Sequence, residues 1–167
     1  MRWANWVPSS GFNMGYVVAS LLVVGLISIW LVPISRGAAR RADQLEPALG
    51  QLLECDIPSA FLTVRPRFSW NKFIQYSQYA TGTKPRELEL ELAFPRANWS
   101  DEYFPKVVSL AAAEGLPYEV LEHASPELPF VCVRFGTSTS RAAEFGKRVL
   151  IDIFEFDANY EFRVRIN

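Results

Sequence analysis

Between Arg2 and Arg36 the chain carries no charged side chain. The centre of that stretch, residues 14–34, reads MGYVVASLLVVGLISIWLVPI and is apolar on every helical face. At 1.5 Å of rise per residue a helix of this length spans about 30 Å, the thickness of a bilayer's hydrocarbon layer. In lipid the backbone must satisfy its own hydrogen bonds, and a helix does so. The expectation is one transmembrane helix over 14–34, preceded by an interfacial N-terminus over 1–13. A cleaved signal peptide would have a shorter apolar stretch and a basic start.

The flanks of this stretch refine the expectation. Trp3, Trp6, Tyr16 and Trp30 suit the headgroup level, and Arg36, Arg40 and Arg41 form a basic collar facing anionic lipid. Three arginines on the C-terminal flank against Arg2 on the other predict a cytoplasmic C-terminal domain and an N-terminus outside. Gly11, Gly15 and Ala19 recur every four residues, with Gly25 and Ser28 as a second small patch. Such small-residue rows let a second helix approach closely. The partners expected are thus the lipid bilayer and either other integral membrane subunits or a second copy of the chain.

Charge separates the two parts. Residues 1–42 hold four arginines and no acid, which leaves 13 basic and 18 acidic side chains beyond, a net of −5. Nucleic-acid binding needs a basic footprint, so it is not expected of this domain. Cys55 and Cys132 form no C-x-x-C pair and read as reduced, partly buried thiols, with a disulfide as the alternative in an oxidising compartment. A single histidine, His123, leaves no Cys/His zinc set.

The remainder reads as α+β. Ala38, Ala42, Leu45, Leu49, Leu52 and Leu53 recur at helical spacing and predict a helical connector over 35–56, broken or restarted at Pro47. A domain over 57–167 follows. Residues 60–65 and 68–79 read as strands, and together as a β-hairpin. In 86–94, Leu88, Leu90 and Leu92 alternate with Glu87, Glu89 and Glu91, which only a strand sorts onto two faces. A helix from about Phe104 to Gly115, strands over 118–122 and 129–135, a helix with the stripe Ala142, Phe145, Val149 and Ile153, and a strand over 160–166 complete the order. Gly146 is placed to allow close approach to that last helix. From 86 onward the pattern is β-α-β-β-α-β, which predicts a small ferredoxin-like sandwich extended by the N-terminal hairpin. In that sandwich the first and last strands are neighbours, so Glu87, Glu89 and Glu91 are expected opposite Arg163 and Arg165.

Chemistry is sparse. No nucleophile motif surrounds His123 or either cysteine, and no cofactor is implied. Gly136, Thr139, Ser140 and Arg141 lie between a strand and a helix and form a candidate anion site, with ordinary capping as the alternative reading of the same residues. The β-α-β-β-α-β order also occurs in RNA-binding domains, but residues 128–135 lack their stacking signature. Asn98-Trp99-Ser100 matches a glycosylation acceptor, with a helix-leading turn as the plainer reading. Trp70, Phe73 and Tyr76 form a candidate partner surface, since aromatics often anchor interfaces. The function expected is a non-catalytic accessory or scaffold subunit of a larger membrane complex. An envelope-assembly component with the domain outside, and a membrane-tethered sensor or enzyme, are the alternatives.

Overall fold

The structure is a computed structural model and describes residues 37–57, 59–67, 72–80, 88–121 and 128–167. The predicted helix over 14–34 lies outside these residues. So do Trp3, Trp6, Gly11, Gly15, Tyr16, Ala19, Gly25, Ser28, Trp30 and Arg36. Among the described residues no helix is long and apolar enough to cross a membrane. The single-pass membrane assignment, and the sidedness built on it, is corrected accordingly: what the structure presents is an antiparallel sheet with helices.

Seven strands form one sheet: β1 Ala38–Arg41, β2 Phe61–Pro66, β3 Ile74–Ala80, β4 Leu88–Pro95, β5 Tyr118–Leu121, β6 Phe130–Gly136 and β7 Glu161–Ile166. Their spatial order is β1-β7-β2-β3-β4-β6-β5, and each described pairing is antiparallel. Among the described residues three α-helices accompany them: α1 Leu45–Leu53, α2 Phe104–Ala113 and α3 Thr139–Arg148, the last running on into a π-helical turn, Val149–Ile153.

The alternation of each strand explains the layering. Leu62 and Val64, Ile74 and Tyr76, Leu90, Leu92 and Phe94, Val131 and Val133, and Phe162 are fully buried. With a period of two these rows share one face, and the helices cover that face. Burying this many large apolar side chains is the main driving force for the fold. Helix α1 contributes Leu45, Leu49 and Leu52, while α3 and its extension contribute the predicted stripe Ala142, Phe145, Val149 and Ile153. Pro47 sits in the first turn of α1, where its missing N–H breaks no helical hydrogen bond. The side chain of Gln78 donates to the carbonyls of Leu52 and Cys55 and so satisfies the C-terminal end of α1 from the sheet.

Two expectations are corrected here. Ala38–Arg41 is not part of a helical connector but an edge strand on β7, with Ala39 opposite Arg163 and Arg41 opposite Glu161. Gly37 makes this possible, because its φ is +64° and a Cβ there would stand 2.6 Å from the Val164 carbonyl oxygen. Arg40 and Arg41 therefore belong to a sheet edge, and Arg41 pairs with Asp43 at 3.2 Å.

The small ferredoxin-like core is the second correction. The order β4-α2-β5-β6-α3-β7 is present along the chain, but β4 and β7 are not neighbours. The β2–β3 pair lies between them, bonded to β7 by one edge and to β4 by the other. Alternation in a sequence fixes which face a residue takes, not which strand lies beside it. The hairpin carries the same one-sided pattern, so it fits inside the sheet as well as outside it. The expected Glu–Arg ladder is consequently absent among the described residues. Glu91 faces Ser77 and Arg134, and Arg163 faces Arg65 and Ala39.

Candidate functional site

The sheet face opposite the helices carries the second set of alternating residues, and among the described residues no helix packs on it. Most of this face is polar. Its β4–β6–β5 part holds a linked group: Arg134 lies 3.1 Å from Glu119 and 3.7 Å from Glu91, with its guanidinium 5.3 Å from the Tyr79 ring centroid. Tyr79 donates its hydroxyl proton to Glu89 at 2.5 Å. Burial, that hydrogen bond and the Glu89 charge all raise the Tyr79 pKa, while Arg134 opposes them. These pairs are partly solvated and contribute little stability individually. They fix the orientation of the side chains on this face.

Cys132 sits in the same group, opposite Ala93 and Glu119. It is only 7% exposed, and burial, followed by the neighbouring Glu91 carboxylate, pushes its thiol up to about 11. A thiol in that state is protonated at neutral pH and is a poor nucleophile. Cys55 lies elsewhere, after α1, and both cysteines are free. Among the described residues no three His, Cys, Asp or Glu side chains converge as metal ligands would.

One end of the open face is different in kind. A cavity of about 320 Å³ is walled by Phe73, Ala93, Pro95, Trp99, Leu128 and Phe130, with the Gln75 amide as its polar member. Strand registry places Gln75 directly opposite Ala93, and Pro95 opposite Phe130. The small Ala93 side chain leaves the floor low while the larger residues at the strand ends rise around it. Trp99 closes one side, held by rings on several sides: Phe73 at 5.1 Å, Phe94 at 5.8 Å and Phe154 at 6.4 Å between centroids. Its loop is fixed by the buried Ser100, whose hydroxyl donates to the Pro95 carbonyl at 2.6 Å and accepts from the Ala97 amide at 2.8 Å. Leu128, at the rim, remains 37% exposed. A second, more open hollow of about 540 Å³ adjoins at Ala97 and is of mixed polarity, with Arg96 and Asp101 paired at 2.7 Å.

The residues anticipated from sequence fall in different places. Phe73 walls the cavity. Tyr76 does not reach the surface: it is fully buried in the opposite layer and bonded to Ala142. Trp70 and His123 lie outside the described residues. Gly136, Thr139, Ser140 and Arg141 do meet at the start of α3, but Ser138 is the cap, accepting from the Arg141 amide at 3.3 Å. The Thr139 hydroxyl donates to Glu46 at 3.4 Å, so a carboxylate already stands beside that helix start. Asn98 is exposed and Ser100 is engaged within the turn.

Trp99, Leu128 and Phe130 were not anticipated as a site. Their signal was in β6, where Phe130 and Cys132 are apolar on the face opposite to Val131 and Val133. A strand with one wetted face is expected to alternate cleanly with polar residues, and this one does not. Comparison of the chain with protein-family models, with curated proteins and with solved structures gives no match.

Proposed function

We propose that this domain is a non-catalytic accessory module of a larger assembly, and that it docks a partner protein through the apolar hollow on its open sheet face. The observation that carries the reading is the placement of Phe73, Trp99, Leu128 and Phe130 around one half-open cavity on an otherwise polar face. Apolar patches rimmed by polar side chains mark interaction sites, and pockets that receive an aromatic or aliphatic anchor dominate binding energy. The polar group around Arg134 and the Arg96–Asp101 pair flank the hollow and supply the kind of rim that gives specificity rather than affinity. The high thiol pKa of Cys132 speaks against nucleophilic chemistry on this face.

A second reading has one observation in its favour. A cavity of about 320 Å³ with a single orienting amide, Gln75, also fits a small apolar ligand. Purification of the tagged full chain separates the two. If the hollow docks a protein, a defined partner accompanies the wild-type chain, and Leu128→Asp, at an exposed rim position, loses it while melting at the same temperature. Retention of that partner by Leu128→Asp rejects the docking reading. A small molecule retained by the wild-type chain and lost from Leu128→Asp supports the second.

A further inference from the structure

Lys72 immediately precedes the cavity wall residue Phe73, and its ammonium sits among aromatic rings. Nζ lies 4.8 Å from the ring centroid of Tyr103, 5.7 Å from Phe156 and 5.8 Å from Phe154. The rings stand nearly edge to face: Tyr103 and Phe154 at 5.0 Å and 74°, Phe154 and Phe156 at 6.3 Å and 87°. Tyr103 and Phe154 are buried at 9% and 3% exposure, so their positions are set by the core and not by the lysine. None of the ion pairs among the described residues includes Lys72. A lysine on a protein surface ordinarily lays its stem on apolar groups and keeps its head in water. Here the head is met by three rings, whose faces carry the negative end of the aromatic quadrupole.

We propose that Tyr103, Phe154 and Phe156 form an aromatic cage for alkylammonium cations, with Lys72 as its built-in occupant. The ligand class follows from the walls. The walls are ring faces, one of which, Tyr103, is shared with Lys106, whose Nζ lies 5.7 Å from its centroid; ring faces suit a weakly hydrated, methylated ammonium better than a strongly hydrated ion. Lys72 competes for the same space from within the chain, so an external cation enters when the lysine is withdrawn or removed. Because Phe73 follows Lys72 and also packs, tilted, against Trp99, the occupied cage pins the start of β3 on the cavity side as well.

The test uses the full chain as wild type, Lys72→Ala, Lys72→Met and the double variant Lys72→Ala/Phe156→Leu. Each is melted in rising tetramethylammonium chloride against sodium chloride of equal ionic strength. Lys72→Met keeps an apolar stem without charge, and is expected to melt below wild type. Lys72→Ala is expected to melt lower still and to recover saturably with tetramethylammonium but not with sodium. The double variant is expected to lose that recovery, and the wild type to show little of it. A Lys72→Met chain as stable as wild type would mean that the stem alone matters and would overturn the cage. So would a Lys72→Ala chain indifferent to tetramethylammonium. The Met comparison decides even if the Ala chain does not fold.

Discussion

Tyr76 donates its hydroxyl proton to the carbonyl oxygen of Ala142 at 2.8 Å, a bond that joins the middle of β3 to the first turn of α3 across 66 residues of sequence. Both groups are buried, and the Ala142 carbonyl keeps its helical N–H when the hydroxyl is removed, so the loss is that of one buried hydrogen bond. Tyr76→Phe is expected to cost about 0.5–1.5 kcal/mol in urea unfolding. Gly146→Ala is expected to cost at least as much, because its new methyl would meet that same hydroxyl and lie 3.2 Å from Ile74 Cδ1. The two changes should couple: in the Tyr76→Phe background the alanine loses its closest clash, and the double variant should be less damaged than the sum of the singles.

The same tyrosine predicts a pH dependence. Burial raises the Tyr76 pKa above its ordinary value of 10.0. A proton bound more tightly in the folded state stabilises fully below the unfolded value and less as the pH climbs past it. Stability should therefore fall above about pH 10. Tyr76→Phe, measured by urea midpoint against pH, should flatten that part of the profile.

Cys132 and Cys55 should behave differently toward an alkylating reagent. Cys132 is buried with its thiol pushed up to about 11, whereas Cys55 is half-exposed. Labelling the native chain with iodoacetamide at pH 8, followed by peptide mass measurement, should modify Cys55 well before Cys132. Unfolding should equalise them. The Cys132 contribution to stability is present below its ordinary value of 9.0 and declines as the pH rises through about 11.

Gly37 controls the β1 edge. Any side chain there must adopt φ near +64° and also clear the Val164 carbonyl. Gly37→Ala is expected to cost about 1–3 kcal/mol locally. Since β7 keeps its pairing with β2, the loss should appear as faster amide exchange across Ala38–Arg41, with a smaller change in global unfolding.

Much of the architecture follows from short-range pattern. Leucine and glutamate alternate through β4 and sort onto two faces as a strand requires. The stripe Ala142, Phe145, Val149 and Ile153 is buried along α3 and its extension, and Gly146 faces a close neighbour. Three features were not legible. Ala38 and Ala42 have helical spacing, yet Ala38–Arg41 is drawn into a strand by a free edge of β7, a tertiary effect. The place of the β2–β3 pair between β4 and β7 depends on which edges meet, and alternation carries no such information. The aromatics of 68–79 mix phases: Tyr76 falls in step with buried Ile74, and Phe73, one step out, faces the cavity. The site itself was half legible, since the doubly apolar character of β6 points at Phe130 but the loop bearing Trp99 reads as an ordinary turn.

The docking reading is tested most directly by where a partner touches the sheet. A photo-crosslinking phenylalanine analogue at Leu128, on the rim of the hollow, is compared with the same residue at Arg165, an exposed position in β7 of the same sheet. After irradiation in cells, the account predicts a discrete crosslinked product from position 128 and none from position 165. Equal crosslinking at both positions, or a product from 165 alone, would contradict it.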